Sequence, residues 1–198
     1  QGNTLTKNFH GAVSGQLDVE NVRPFLTDSN AAEGFAIVTT SEPLALTLDA
    51  RGNWLTLAGL TATGSVALTN FAVRGQTIDS VAARLAYADG LLQLLQPELR
   101  RAGGAQWMTG DAVIMDFKRM MMTFSNGFSV VDPVALTSAI GPKTAEHLEP
   151  YHFLKVPTAR VNGCLPLRDM NGPDDMIGTD LRFDIVEDVP FQWLRLNS

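Results

Sequence analysis

The stretch Ser80-Val-Ala-Ala-Arg-Leu-Ala-Tyr87-Ala-Asp89-Gly90-Leu-Leu-Gln-Leu-Leu-Gln96 decides the fold class. Val81, Ala83, Leu85 and Tyr87 fall on one parity, Arg84 and Ala86 on the other. A period of two marks a strand with one apolar face. Asp89-Gly90 is a hairpin signal, because glycine takes the positive φ of a tight turn at no steric cost. Leu92 and Leu94 resume the alternation on the return arm. Gly103-Gly104 marks a further reversal, after which Val113, Met115 and Phe117 line one side of a third arm. The spacing predicts a meander in which neighbours in sequence are neighbours in the sheet.

Toward the N-terminus the same pattern recurs. Phe9 to Glu20 places Val13, Leu17 and Val19 on one face with Gly15. Asn21 to Glu33, with Pro24, reads as a loop or short helical turn, since proline is excluded from central strands. Phe35 to Thr40 is a short β-branched run. Beyond Pro43, Leu44, Leu46 and Leu48 alternate with Ala45, Thr47 and Asp49. Arg51-Gly52-Asn53 reads as a turn and Trp54 to Leu60 as a further strand. Thr63 to Gly75 pairs Val66 with Leu68 and, past a bulge seated at Asn70, Phe71 with Val73.

Toward the C-terminus, Ser125-Asn126-Gly127 reads as a turn. Asp132-Pro133 then breaks the pattern: aspartate caps a helix and proline suits its first position. Two short helices are predicted, Pro133 to Ile140 and Pro142 to Leu148. Val161 to Leu167, Leu181 to Ile185 and Phe191 to Leu196 return to strand, with a polar loop from Arg168 to Gly178. Glycine followed by apolar alternation at Gly15, Gly64 and Gly163 is a weak repeat without a fixed period. The expected fold is mainly β, an antiparallel meander forming a curved, partly open sheet or a sandwich, with one helical insertion at 132–150.

The chain has 198 residues, 45% hydrophobic and 18% charged, with a net charge of −6. That is enough for one sizeable β domain. It holds no apolar run near the ~18 residues of a membrane helix. The negative charge argues against nucleic acid and against simple adhesion to anionic lipid. A start at Gln1 reads as a processed or excised piece of a larger protein. A single cysteine excludes an internal disulfide framework.

Catalytic chemistry is hard to place. His10, His147 and His152 lack a metal-ligand spacing, although His147 and His152 flank Pro150 closely. Cys164 among apolar neighbours reads as a small buried hydrophobe. Asp169 to Asp180 resembles a calcium loop faintly, but its glycine and proline stand at the wrong places, and a solvated turn is the simpler reading. Gly103-Gly104 lacks the Gly-Lys-Ser/Thr of a phosphate loop. Met120-Met121-Met122 suits either core filling or a pliable contact surface. Ser14, Ser65 and Ser125 lack a nucleophile elbow. The reading assigns no catalytic residue, no metal and no cofactor.

The run from Leu60 to Gly75, then Ile78-Asp79-Ser80, the Leu85–Leu94 hairpin and Ala102-Gly-Gly-Ala-Gln-Trp-Met-Thr-Gly-Asp111, resembles the β repeat of AsmA/TamB-like bacterial envelope proteins. The resemblance covers about Leu57 to Phe117, and more loosely Phe9 to Glu20 and Val156 to Leu196; the 132–150 insertion falls outside it. It implies a periplasmic sheet concerned with lipid transport or outer-membrane biogenesis, reaching the membrane through other parts of its parent protein. On that basis Leu85, Tyr87, Leu92, Leu94, Val113, Met115 and Phe117 are the expected lipid-facing residues, with the helices as lid or end cap. A closed β-sandwich serving as a structural or protein-binding module needs the same alternation, and the two readings remain open at this level.

Overall fold

The computed structural model describes residues 2–3, 7–21, 36–53, 55, 59–148, 150–167, 178–187 and 190–193. Its strands are β1 (Gly2–Asn3), β2 (Asn8–Leu17), β3 (Val38–Thr40), β4 (Leu44–Asn53), β5 (Thr61–Val73), β6 (Gln76–Ala88), β7 (Leu91–Arg101), β8 (Gln106–Thr109), β9 (Ala112–Asp116), β10 (Met121–Val130), β11 (Tyr151–Phe153), β12 (Ala159–Pro166), β13 (Asp180–Ile185) and β14 (Phe191–Trp193). Twelve of these form one antiparallel sheet in the order β1-β2-β4-β5-β6-β7-β8-β10-β12-β13; β3 pairs with β5, and β9 lies between β7 and β10. The mainly β meander expected from the alternation is the observed fold. The pair β11–β14 forms a separate small sheet. The sequence reading did not anticipate β11, because three residues are too few to show a period.

The central hairpins follow from their turn residues. Arg74 (φ 48°) and Gly75 (φ 76°) join β5 to β6, and Asp89 (φ 53°) and Gly90 (φ 83°) join β6 to β7. Two successive positive φ values match the twist of the flanking strands. Ala102, Gly103 and Gly104, all at positive φ, turn the chain into β8. The Asp79 carboxylate holds that turn by accepting from the Gly104 N–H at 3.1 Å.

A line of irregular positions crosses the sheet. Asn70 in β5, Gln96 in β7 and Asn126 in β10 take φ of 50°, 50° and 49°. Register slips by one residue between β6 and β7 near Gln96 and between β10 and β12 near Asn126. Gly110 and Asp111 divide β8 from β9 at the same level. Hydrogen bonds bridge this line: Gln96 N–H to Asp111 O (2.9 Å), Asp111 N–H to Ser125 O (3.0 Å) and Asn126 N–H to Asn162 Oδ1 (2.8 Å). Each extra residue reverses the parity of its strand. At Gln96 this puts Leu94 and Leu99 on one face; β5 and β6 keep their register past Asn70, and Leu68, Phe71 and Ile78 pack together there.

That parity switch gathers the buried core at one end of the sheet. Leu68, Phe71 and Ile78 cluster there with Val38, Leu44, Val73, Val81 and Leu99 around them. Two helices follow β10, α1 (Pro133–Ile140) and α2 (Pro142–Leu148), which pack on each other. The Asp132 carboxylate caps α1 by accepting from Val134 N–H at 3.0 Å, and Pro133 opens the helix, as the sequence predicts. The Asp132 N–H is held by Gln106 Oε1 at 3.2 Å, and α1 reaches across to β6. Ser129, Val131, Ala159 and Val161 are buried, as are Ala135 and Thr137 of α1.

Several expectations are corrected. Val19 lies in a 3-10 turn (Val19–Asn21), after the strand has ended at Leu17. Arg51-Gly52-Asn53 is not a turn: it completes β4, because it pairs with His10, Phe9 and Asn8 of β2. Of Trp54 to Leu60, the described residues Leu55, Gly59 and Leu60 lie outside strands, and the others fall outside the described residues. Ser125-Asn126-Gly127 is a bulge within β10, since Phe124 and Phe128 on either side both remain paired to β12. Most of 21–33, all of 168–177 and 194–196 likewise fall outside the described residues.

Two of the three repeat glycines have steric reasons. A Cβ on Gly64 would fall on the Thr47 carbonyl, and one on Gly163 (φ 127°) on the Asp180 carbonyl; Gly15 meets nothing within 4 Å. Gly64→Ala and Gly163→Ala are each expected to cost about 2 kcal/mol or more, and Gly15→Ala under about 0.5 kcal/mol. Urea unfolding of the three variants checks this ranking. At the Asn70 kink, Glu42 accepts from Thr69 Oγ1 (2.5 Å) and Asn70 Nδ2 (2.6 Å), and these bonds hold its carboxyl below the ordinary value of 4.5. The depressed folded-state value makes this contribution present above 4.5 and lost as pH falls through the lower value. The melting-temperature gap between wild type and Glu42→Gln should therefore narrow on going from neutral pH to about pH 3.

Candidate functional site

The pairing registers line up apolar residues across the sheet. Val13, Leu48, Gly64, Leu85, Leu94, Val113, Phe124, Gly163 and Leu181 are successive directly opposed partners from β2 to β13. Directly opposed side chains share a face. The row is apolar or glycine at every step. A second row beside it runs Gly11, Ala50, Ala62, Tyr87, Leu92, Met115, Met122 and Leu165. With eight interstrand steps of about 4.8 Å, the first row extends about 38 Å.

The reverse face at the same level differs in character. Ala12, Asp49, Thr63, Ala86, Gln93, Ile114, Thr123, Cys164 and Asp180 stand there in register. Cys164 thus faces Thr123 and Asp180 and is half-buried, a correction to the expectation of an apolar buried site. One-sided alternation on nine strands, with mixed polarity behind, separates the two faces.

Six of the seven expected contact residues come together. Leu85, Leu94 and Val113 are adjacent in the first row, and Tyr87, Leu92 and Met115 in the second. Phe117 lies one step past β9, in the turn to β10, and is 48% exposed. Sequence reasoning missed Phe124, Met122, Leu165 and Leu181 as extensions of the same rows. Their parity was visible, but the Asn126 bulge breaks the count between the two halves of β10. Of the methionine run, Met120 sits in the turn, and Met121 and Met122 point to opposite faces.

The rows form a surface band, neither buried nor fully exposed over most of its length; Val13, at the edge, is 63% exposed. A hollow of about 430 Å³ lies on the reverse face between β2 and β7, lined by small side chains such as Ser14, Ala45, Thr47, Ser65, Ala67 and Ala82, with Arg84 and Glu98 beside them. Thr47 Oγ1 and Ser65 Oγ bond each other across it at 2.6 Å. Leu46, Val66 and Ala83 also line this hollow.

The remaining candidates are dispersed. The His10 Nε2 contacts the Asp49 carboxylate at 2.9 Å on the exposed reverse face. The His147 Nδ1 lies 2.7 Å from the Lys143 carbonyl, and His152 stands exposed on β11. Among the described residues no three His, Cys, Asp or Glu side chains gather in a metal-holding group. No described helix is long and apolar enough to cross a membrane.

No family model matches the chain, and neither curated proteins nor solved structures give a match.

The burial gradient along the apolar face predicts a gradient in energetic cost. Leu68→Ala, in the buried cluster, should destabilise by about 2–4 kcal/mol, and Leu94→Ala, on the band, by roughly half as much, because less of its surface leaves water on folding. Denaturant midpoints of the two variants measure the difference.

Proposed function

We propose that this chain is a non-enzymatic part of a cell-envelope protein, whose apolar band binds the acyl chains of lipid and guides them across the sheet. The observation that carries this reading is the pair of unbroken apolar rows running from strand to strand. A lipid chain exposes methylenes at a cost of roughly 0.8 kcal/mol each in water, and the band leaves half-exposed leucine, methionine and aromatic surface at a similar cost per area. Laying one on the other removes both from water. The rows run perpendicular to the strands, so a chain moving along them meets one apolar side chain after another and no charge.

The proposal draws further support from the resemblance of residues 57–117 to AsmA/TamB-like repeats, which brings with it a periplasmic setting, lipid as cargo and the remainder of a parent protein as the route to the membrane. The separation of chemistry between the two faces fits this use: Asp49, Gln93 and Asp180 on the reverse keep that side in water while the band carries lipid. The helical insertion serves as an end cap, which leaves the band as the loading surface.

Native mass spectrometry of the purified chain, with organic extraction and lipid analysis, tests the reading. Co-purifying phospholipid or fatty acid is expected, and it should be lost in a folded Leu94→Asp, Met115→Asp double variant. A wild-type chain free of lipid that also fails to take up a spin-labelled fatty acid overturns the proposal and leaves a structural β module in its place.

A further inference from the structure

The last strand of the large sheet, β13, reads Asp180-Leu181-Arg182-Phe183-Asp184-Ile185, and no described strand pairs with its outer edge. We propose that this edge pairs with the same edge of a second copy of the chain, antiparallel and centred on Phe183, to make a two-fold symmetric dimer with one continuous sheet.

The backbone comes first. Val186 N–H donates to the Thr158 carbonyl at 3.0 Å, which sets the phase of the ladder between β12 and β13. In an antiparallel pair the bonded positions alternate, so the even-numbered residues of β13 turn their N–H and C=O toward β12. Leu181, Phe183 and Ile185 therefore aim theirs outward. A two-fold axis at Phe183 places Phe183 opposite Phe183 and Leu181 opposite Ile185, the narrow bonded pairs that these outward groups require.

The charges fall into the same register. Arg182 then stands opposite Asp184 of the second copy, twice, at the non-bonded positions where side chains approach most closely. Within one chain Asp184 already faces Arg160, and Arg182 faces Asn162. Pairing two copies gives each Asp184 a cation on both sides. Among the described residues Arg182 reaches Asp180 at 4.0 Å, and both side chains are about three-quarters exposed, 75% and 74%. An edge defended against pairing presents like charges or proline. This edge presents alternating charges that match their own reverse.

The apolar side agrees. Leu181, Phe183 and Ile185 share the face of Val161, Gly163 and Ala159. Ile185 and the following Val186 are 46% and 45% exposed, and pairing covers part of that surface. Near the opposite edge, β1 pairs only with Asn8 and Phe9 of β2, and beyond them His10, Ala12, Ser14 and Gln16 lack this alternation of opposed charges.

Sedimentation velocity over about a hundredfold range of concentration should show a monomer–dimer equilibrium. Arg182→Asp sets aspartate against Asp184 and should raise the dissociation constant at least tenfold. The swap Arg182→Asp with Asp184→Arg restores opposed charges and should recover the dimer. Val13→Lys, on β2, should leave association unchanged. Circular dichroism confirms that each variant is folded. A wild-type chain monomeric throughout the range, an Arg182→Asp dimer of unchanged strength, a swap that fails to recover, or a dimer abolished by Val13→Lys overturns the proposal.

Discussion

Everything else in this protein depends on direct cross-strand opposition between β5, β6 and β7. Twelve pairs hold β5 to β6, from Thr61↔Ala88 to Val73↔Gln76, across a two-residue turn whose residues both take positive φ. A turn that short fixes register, and register fixes which face each side chain joins. Once Gly64, Leu85 and Leu94 stand opposed, the neighbours β4 and β9 can only continue the row or break it, and they continue it with Leu48 and Val113. A one-residue slip in either hairpin would send Leu85 or Leu94 to the polar side.

Stability and surface character are distributed along the strands rather than between layers. The core end is packed by strand residues, Val38, Leu44, Val73, Val81 and Leu99 around Leu68, Phe71 and Ile78, while Val131, Ala135 and Thr137 are buried where α1 leaves β10. The other end has the same apolar side chains with less over them. A single sheet of this width leaves one face open unless something covers it. Among the described residues, most of the band from Leu48 to Leu181 is accordingly only partly buried.

Much of this was legible from the chain alone. The alternation of Val81 to Tyr87, the Asp89-Gly90 turn and the Asp132-Pro133 cap each state a local rule that the fold obeys. The misreadings share a cause. Arg51-Gly52-Asn53 and Ser125-Asn126-Gly127 carry turn chemistry, yet both are held inside strands by partners distant in sequence: His10 and Phe9 for the first, Val161 and Arg160 around the second. Local composition cannot announce a bulge, because asparagine at positive φ serves a turn and a bulge equally well. The glycines were visible, but the reason for two of them, a carbonyl of the adjacent strand where a Cβ would stand, required the sheet. The transverse rows could not be seen either, since they exist only across pairings.

The extra residues at Gln96 and Asn126 make strand length an inherited constraint in its own right. Upstream of Gln96 the even-numbered leucines Leu92 and Leu94 face the band; downstream the odd-numbered Leu99 faces the core. Losing that single residue would exchange inside for outside along the remainder of β7 while altering no hydrophobic residue at all. Descendants of this sequence are therefore free to trade one aliphatic side chain for another across the band, but a frame-preserving codon deletion at the kink would be purged, and any compensating change would have to arrive as an insertion in the same strand.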